Sequence, residues 1–392
     1  MKVIIPVEVE QQIRLSINNY PNFDNNTEIQ NIRLYKLLIS LWFFIYERQQ
    51  RDDTILNLRG YTNIHVKHLK KFKININKKT YSYNYLLGVL ITSKLVNRNG
   101  KYKVGNFTQS YKINTNVLNG NYEEVEVNFD KLIHKLKNRK HWVRKYSSYK
   151  KHIRDCYDVK VDLSDYALWL RKNKGIKLKP IIKEGLVYQR TLNEERIFDY
   201  LNTALKVNLG NFWFTISEEG RFYNTLTNMS YTALPFIKLK GKKVIEIDVK
   251  NCQPLLLATI INNVKYKKNV EEGVFYDNMA KKLNMKRDKF KVLSYKFIFF
   301  SNKKLNSGKI YNALNNLYPG FIAEINKLRE KINISRELQK LESQIMVDAI
   351  GNMDCKMMLR HDAVFVYKED YKHIRSQVKM EFSKLGLKVQ IK

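Results

Sequence analysis

Residues 244–258, VIEIDVKNCQPLLLA, place one carboxylate, Asp248, between two largely apolar runs. The run before Asp248 is strand-like, and the run after Pro254 begins like a helix. An ionised group that is buried without a partner costs several kcal/mol to remove from water. Asp248 therefore either marks the mouth of a functional site at the end of a strand or caps the helix that follows.

The chain is strongly basic, because its 392 residues include 71 Lys and Arg but only 37 Asp and Glu, a formal net charge of +34. A surplus of that size repels itself unless a polyanion offsets it, which makes nucleic acid the leading partner. A ribosome-like protein and a membrane-surface protein are the alternatives. The length predicts two or three domains.

The cysteine pattern favours a reducing compartment. The 3 cysteines are far apart and form no CxxC pair, so neither a disulfide framework nor a zinc site is expected. The N-terminus, MKVIIPVEVEQQIRL, carries acids within its apolar stretch and lacks a signal-peptide pattern. No run reaches the ~18 apolar residues of a membrane span. We therefore expect a cytoplasmic protein without a membrane partner.

The N-terminal region combines helix patterns with a short hairpin pattern. Residues 31–52 and 83–96 have the apolar spacing of amphipathic helices. A turn signal, NRNG at 97–100, comes before the alternating segments 102–105 and 110–114. A helix followed by a two-stranded wing resembles a winged-helix domain, which implies nucleic-acid binding. An ordinary α+β core segment is the alternative.

Residues 131–152, KLIHKLKNRKHWVRKYSSYKKH, interleave basic residues with Trp142, Tyr146 and Tyr149. Cations in such a segment can meet phosphates while aromatic rings stack on bases. The segment therefore predicts a contact with nucleic acid. A solvated basic helix face is the alternative.

The C-terminal half is predicted to alternate between strands and helices. The strand and turn patterns cover 213–217, 218–221, 240–243 and the final LKVQI. The helix patterns cover 274–283, 287–300, 338–350 and 370–385. Residues 357–367, MMLRHDAVFVY, predict two strands joined at His361 and Asp362.

Asp248 and Asp362 stand in matching contexts, each at the end of an apolar strand pattern. Two carboxylates brought together at strand ends are what two divalent cations need, because Mg²⁺ prefers carboxylate oxygen and leaves sites for phosphate oxygen and water. Two such ions a few ångströms apart can activate a 3′-hydroxyl and neutralise a leaving pyrophosphate. The pair therefore predicts nucleotidyl transfer.

The helix pattern between these aspartates carries Arg287, Lys291, Tyr295 and Phe299 at intervals of four. Residues at that interval lie along one face of a helix. Two cations suit a triphosphate, and two rings suit the base and sugar of a nucleotide. An amphipathic helix whose basic residues face solvent is the alternative.

In order and spacing, these elements resemble the palm and fingers of family A DNA polymerases and the phage-type single-subunit RNA polymerases. In those enzymes motif A is a strand-end Asp, motif B is a fingers helix of the form R-x3-K-x3-F/M-x3-Y, and motif C is His-Asp in a palm hairpin. Gly220-Arg221 ahead of Thr227-Asn228 is similar to the family's T-x-G-R segment and following P-N-L-Q, which hold the primer-template. The resemblance spans residues 217–367.

The resemblance implies a catalytic set. Two Mg²⁺ (or Mn²⁺) ions would bind Asp248, Asp362 and the backbone carbonyl of Val249. Lys291 would bind the triphosphate and act as general acid, and Arg287 would contact the outer phosphates.

The same resemblance implies contacts with the substrates. Tyr295 and Phe299 would pack on the incoming nucleotide and the template base. His361 would lie near the primer terminus, and Arg221 and Asn228 would lie near the duplex backbone.

The chain departs from the family pattern in ways that bear on the product. Ala363 follows the motif C aspartate where the DNA polymerases have Glu, and Phe299-Phe300 replaces the Tyr-Gly that closes motif B. The position five after Asp248 is Gln253, which is bulky like the Glu of the DNA polymerases and unlike the Gly of the RNA polymerases. Gln253 and the missing hydroxyl of Phe299 favour deoxynucleotides, whereas Ala363 favours RNA synthesis.

The combined prediction is an α+β chain of three regions. These are a winged-helix-like nucleic-acid-binding domain (1–120), a basic helical connector that could serve as a thumb (121–205), and a domain with an antiparallel palm sheet and helical fingers (206–392). We expect a small DNA polymerase of a phage, plasmid, mobile element or defence system that acts on primer-template DNA or RNA with nucleoside triphosphates. No acidic cluster in the N-terminal half resembles a proofreading exonuclease.

Two alternatives stay open. One is a primase-like or RNA-synthesising enzyme, which would prefer ribonucleotides. The other is a non-catalytic replication initiator that binds DNA through the winged helix.

Overall fold

The computed structural model describes residues 2–19, 23, 25–51, 60–100, 109–127, 139–183, 186–299, 301, 303–351, 353–360 and 363–391. Helices are combined with small sheets whose described ladders are all antiparallel, which confirms the α+β class. Contacts divide the chain into two compact units. The first contains Met1–Leu136, Leu163–Lys174 and Leu192–Leu209, and the second contains Lys137–Asp162, Gly175–Thr191 and Gly210–Lys392. The segment 121–205, predicted as one connector, is shared between them.

The described α-helices are α1 (Val7–Asn19), α2 (Glu28–Arg51), α3 (Val66–Leu69), α4 (Tyr83–Thr92), α5 (Arg139–Lys145), α6 (Lys150–Cys156), α7 (Leu163–Lys172), α8 (Glu194–Asn208), α9 (Cys252–Leu257), α10 (Val264–Glu271), α11 (Phe275–Lys282), α12 (Arg287–Ser294), α13 (Lys309–Leu317), α14 (Phe321–Arg329), α15 (Ile334–Ile350) and α16 (Tyr371–Lys384). Short 3-10 helices cover Thr115–Val117, Ser147–Tyr149 and Tyr231–Phe236, and a π-helix covers Tyr295–Phe299.

The described strands are β1 (Lys2–Pro6), β2 (Thr62–Asn63), β3 (Ile74–Ile76), β4 (Lys79–Tyr81), β5 (Val96–Arg98), β6 (Ser110–Ile113), β7 (Tyr122–Glu126), β8 (Val159–Val161), β9 (Lys177–Lys183), β10 (Leu186–Thr191), β11 (Phe214–Ile216), β12 (Phe222–Asn224), β13 (Ile237–Leu239), β14 (Lys242–Lys243), β15 (Ile245–Asp248), β16 (Met357–Arg360) and β17 (Ala363–Val366).

Helix α2 supplies much of the core of the first unit. The helix predicted over 31–52 is confirmed and begins three residues earlier, at Glu28. Every side chain from residue 37 to residue 46 is buried, and Leu38, Leu41, Trp42 and Ile45 are fully buried. Burial of an apolar face stabilises a helix more than propensity does, which explains why this segment is helical despite its bulky aromatic residues.

The first unit also contains a three-stranded sheet in the order β2–β6–β5. Thr62 lies opposite Tyr111, and Val96 lies opposite Ile113. The turn predicted at 97–100 is therefore wrong for its first two residues, because Asn97 and Arg98 belong to β5 and pair with β6. The segment 102–105, predicted as the first hairpin strand, lies outside the described residues.

The helix predicted over 83–96 ends early, at Thr92. Lys94 adopts a left-handed φ of +58°. The N–H groups of Lys94 and Leu95 donate to the carbonyls of Ile91 and Leu90. This pattern satisfies the last helical carbonyls and stops the helix, so residue 96 begins strand β5 instead.

The second unit contains the sheet that residues 244–258 predict. Its order is β15–β17–β16, and its ladders pair Ile245 with Val366 and Met357 with Val366. The VIEID strand and both strands predicted within 357–367 are confirmed. Ile247 and Val364 are buried in this sheet.

Most other elements predicted for this unit are confirmed, but the terminal strand is not formed. Helices α11, α15 and α16 correspond to predicted helices, and β11 to the predicted strand 213–217. In the predicted strand LKVQI only Ile391 makes a bridge, to Val249. The Lys250 N–H also donates to the Gln390 carbonyl at 2.9 Å, but Asn251 then leaves the extended conformation with φ +56°, and no ladder forms. No helix in the described part of the chain is long and apolar enough to cross a bilayer.

The helix predicted over 287–300 is confirmed as far as the structure describes it, but its last turn is a π-helix, Tyr295–Phe299. A π turn breaks the regular α-helical hydrogen-bond pattern. Arg329 Nη2 donates to the carbonyl oxygens of Phe297 at 2.5 Å and Ile298 at 3.1 Å. Burial lowers the pKa of this arginine.

Helix α6 carries a buried histidine that links stability to pH. Burial lowers the pKa of His152 to about 4. The positive charge of Lys151 lowers this pKa further, and the negative charge of Asp155 partly opposes both effects. The unfolded chain accepts this proton below a pKa of about 6.5. Stability from this group is therefore present above that pH and is lost as the pH falls towards 4. We expect a loss of about 2 kcal/mol between pH 7 and pH 5.

Urea denaturation at several pH values tests the effect of His152. The variant His152→Leu should show a flatter dependence of unfolding free energy on pH than the wild type in this range. Parallel dependences for the two proteins would contradict the assignment.

Candidate active site

Asp248 is the last residue of β15 and lies half-buried opposite Ala363 of the central strand β17. Beyond it, Val249 makes the bridge to Ile391. Asn251 then takes the N-cap position of helix α9. Because the cap is Asn251, the interpretation of Asp248 as a helix cap is wrong.

The second predicted carboxylate, Asp362, and its neighbour His361 lie outside the described residues. The residues that flank them, Arg360 and Ala363, pair with each other across β16 and β17. Ala363 is also the partner of Asp248. Asp248 and the two residues that flank His361 and Asp362 in the chain therefore lie at one end of one sheet.

Few of the described side chains could act as metal ligands together with Asp248. No group of three or more His, Cys, Asp or Glu side chains suited to a metal ion occurs among the described residues. Asp248 and the backbone carbonyl of Val249 are the described members of the predicted set. Such a set fits Mg²⁺, which keeps several waters and binds one or two carboxylates together with substrate phosphates.

The two predicted triphosphate ligands lie over the same aromatic ring. The Arg287 guanidinium lies 5.4 Å from the Tyr276 ring centroid, and the Lys291 ammonium lies 5.8 Å from it. Asp277 forms an ion pair with Arg287 at 3.2 Å. The predicted shared face of Arg287 and Lys291 is thus confirmed. Tyr276 and Asp277 lie on α11, whereas the two cations lie on α12. The residue spacing within α12 therefore could not indicate these contacts.

The two predicted nucleotide-stacking rings lie in the π-helix. Tyr295 and Phe299 have their centroids 5.8 Å apart. Tyr295 is half-buried, whereas only 1% of Phe299 is exposed. Phe299 therefore packs in the protein core in this structure, and Tyr295 is the more accessible ring.

Gln253 belongs to a buried polar network with Arg221 and Glu342. Its Nε2 donates to Oε2 of Glu342 on α15, and Arg221 Nη2 donates to Oε1 of the same carboxylate at 2.6 Å. Glu342 is 3% exposed and Gln253 is 5% exposed. One carboxylate thus holds the predicted sugar selector and the predicted duplex-binding arginine.

The network raises the pKa of Arg221. Burial lowers this pKa, but the charge of Glu342 and the interactions with Tyr223 together outweigh the effect of burial. Sequence reasoning missed Glu342. The available signal was its position in the apolar stripe of α15, four residues after Leu338 and four before Met346, where an acid needs a buried partner.

Three buried polar atoms beside the end of β15 have no hydrogen-bond partner in the described part of the chain. They are Oε1 of Gln253 and both amide atoms of Asn251. Buried polar atoms are nearly always hydrogen-bonded in native proteins. Their unmet donors and acceptors fit a site completed by a polar ligand or by water.

The aromatic residues of the basic segment contradict part of its prediction. Trp142 packs edge-to-face on Phe214, with centroids 5.6 Å apart, and Tyr149 stacks on Phe222 at 4.6 Å. Both are buried. Base stacking by Trp142 and Tyr149 was therefore the wrong prediction, because these rings face the core.

The segment predicted to hold the primer-template is anchored to the strand end. Asn228 is exposed, and the turn before it is fixed by a 3.1 Å hydrogen bond from the Asn224 N–H to Oγ1 of Thr227. Just after it, the Met229 carbonyl accepts from Arg360 Nη2 at 2.8 Å. Arg360 ends β16, so Asn228 is tied to the sheet end that carries Asp248.

Comparison with known proteins does not assign the chain to a family. No protein-family model matches the chain, and no curated protein sequence matches it. Function is therefore inferred from the chemistry of the residues at the end of the β15–β17–β16 sheet.

Proposed function

We propose that this chain is a template-directed nucleotidyltransferase, a small DNA polymerase without a proofreading exonuclease, that uses two divalent ions. The observation that carries the proposal is the register of the central sheet. Asp248 pairs with Ala363, the residue that follows Asp362 in the chain. A strand-end aspartate facing a hairpin with His-Asp at its turn is the arrangement of motifs A and C in the resembled polymerases.

The proposed roles follow from this arrangement. Asp248, Asp362 and the carbonyl of Val249 would hold two Mg²⁺ or Mn²⁺ ions, which when bound activate the primer 3′-hydroxyl and neutralise the pyrophosphate. Lys291 and Arg287 would bind the triphosphate. Their common position over Tyr276 supports this, because it directs both cations to one side of the helix.

The proposed product is DNA. The support is the bulk of Gln253, which is held in one orientation by Glu342. A side chain that is fixed by a buried carboxylate fills its space permanently and leaves little room for a 2′-hydroxyl. An RNA-making or primase-like enzyme is the alternative if ribonucleotides are preferred.

The first unit would serve as the nucleic-acid-binding module. Its helices α2, α3 and α4 and its sheet order β2–β6–β5 are compatible with a winged helix. This observation also favours the second candidate function, a non-catalytic replication initiator that binds DNA. Primer extension with Mg²⁺ separates the two, because an initiator would bind DNA and extend nothing.

Replacement of Gln253 by Gly tests sugar selection. We expect the variant to incorporate ribonucleotides at least about tenfold better relative to deoxynucleotides, because a cavity opens where the 2′-hydroxyl would lie. The measurement is the ratio of kcat/KM for dNTP and rNTP in single-nucleotide extension. An unchanged ratio would indicate that Gln253 does not contact the sugar and would favour the RNA-making alternative.

A further inference from the structure

A cavity of about 590 Å³ lies within the second unit, between helix α6 with the 3-10 turn before it and residues 351 and 353–356, which precede β16. Cavities of this size are large enough to take a nucleotide-sized group. None of the described residues assigned to the polymerase site lines it. It therefore needs an explanation of its own.

The walls of the cavity are cross-linked by one buried carboxylate. Asp155 accepts from Lys151 Nζ at 2.8 Å and from Lys356 Nζ at 3.0 Å. Lys356 donates in addition to Asp158 at 2.7 Å, and the Met357 N–H donates to Asp155 at 3.3 Å. The bonds from Lys356 and Met357 join α6 to the start of β16 and so connect the two walls of the cavity.

Two further cations remain without an acidic partner in the described part of the chain. Lys150 and Arg154 line the cavity, are exposed, and lie four residues apart, which places them on one face of α6. The hydroxyl-bearing residues Ser147 and Ser148 line the same side. Asp354 is the only lining acid besides Asp155 among the described residues, so positive charge prevails.

We propose that this cavity binds a phosphate group of the nucleic acid, with Lys150 and Arg154 as its charged ligands. The proposal rests on the proposed action on nucleic acid but not on the assignment of Asp248. Phosphate is favoured over a carboxylate ligand because the chain carries a net charge of +34, and cations that meet phosphates supply most of the affinity for nucleic acid.

The position of the cavity suits a nucleic-acid strand that also reaches the active site. The cavity lies at the start of β16, and Arg360 at the other end of this strand is next to the predicted motif C. A strand of this length spans roughly 10 Å. A phosphate held here would thus belong to a nucleotide close to the one at the sheet end, in primer or template.

The test measures binding of fluorescent oligonucleotides by anisotropy at several salt concentrations. The double variant Lys150→Gln/Arg154→Gln is compared with the control Lys265→Gln/Lys268→Gln, which removes two exposed cations of α10. We expect the cavity variant to bind single strands about tenfold more weakly, with the slope of log K against log salt smaller by about 1.4. The control should change affinity less than threefold.

Two arms distinguish a terminal phosphate from a phosphate within the chain. If a 5′-phosphate strengthens binding by the wild type and not by the cavity variant, the ligand is the terminal phosphate. If the 5′-phosphate has no effect and the variant still loses affinity and slope, the ligand is an internal phosphodiester. Either result supports the site.

If the affinity and the salt slope of the cavity variant match those of the control variant, the proposal is overturned. That result would not bear on the proposed polymerase activity, which primer extension measures separately. A wild-type chain that binds no oligonucleotide would instead refute the proposed action on nucleic acid, and the cavity assignment with it. The two failures are therefore separate observations.

Discussion

Replacement of Asp248 by Asn is expected to abolish primer extension, with a fall of about a thousandfold or more in kcat/KM. The substitution keeps the size and the strand register of the side chain but removes the charge that a divalent ion needs. Asp362→Asn should have the same effect, because the two carboxylates would act on the same pair of ions. The measurement is single-nucleotide extension of a labelled primer with Mg²⁺.

The matched control is Glu246→Gln, which removes a carboxylate from the same strand. Glu246 lies two residues before Asp248 and pairs with Phe365 rather than Ala363. This variant should retain most of the activity. If Asp248→Asn extends primers within tenfold of the wild type while remaining folded, the two-ion assignment fails, and the non-catalytic initiator becomes the better explanation of any DNA binding.

Replacement of Glu342 by Ala is expected to lower the free energy of unfolding of the second unit by about 3 kcal/mol. Arg221 would keep its charge in a mostly buried position without the carboxylate that now accepts from it. Gln253 would lose its only described partner. Chemical denaturation with urea measures the change, and the sugar selectivity of the variant should fall as Gln253 becomes free to rotate.

Two further variants show whether the buried charge is the cause. Glu337→Ala, on the same helix, breaks a surface pair with Lys340 and should cost at most about 0.5 kcal/mol. The double variant Arg221→Met/Glu342→Met removes both charges and should recover most of the lost stability. Equal losses for Glu337→Ala and Glu342→Ala would contradict the assigned role of the network.

The strands around Asp248 could be predicted from sequence because their apolar runs are short and are bounded by turn signals. The three strands of the central sheet were predicted on this basis, whereas helix α15 was predicted from its amphipathic spacing and begins four residues before the predicted start. The position of the carboxylate at the strand end could also be predicted, since a charge interrupts the apolar run there. The register that places Asp248 opposite Ala363 could not be predicted, because the sequence of one strand alone does not specify which residues of a distant strand pair with it.

Other features were hidden because their sequence signals are ambiguous. Basic residues interleaved with rings are compatible with base stacking or with core packing, and the structure has Trp142 and Tyr149 in the core. Glu342 was missed because its partners, Arg221 and Gln253, lie far away in the chain. The N-cap at Asn251 could not be predicted because its side chain makes no capping hydrogen bond and its left-handed φ has no clear sequence signal.

The π turn at Tyr295–Phe299 has a consequence for motion. A change of one residue in the hydrogen-bond register of a helix rotates all later side chains by about 100°. Return of this turn to α geometry would therefore redirect the rings at 295 and 299 while the cations at 287 and 291 stayed in place. Arg329 holds the π form by binding two of its carbonyls. Loss of these two hydrogen bonds is therefore expected to weaken the π form relative to the α form, and with it the present orientation of the two rings.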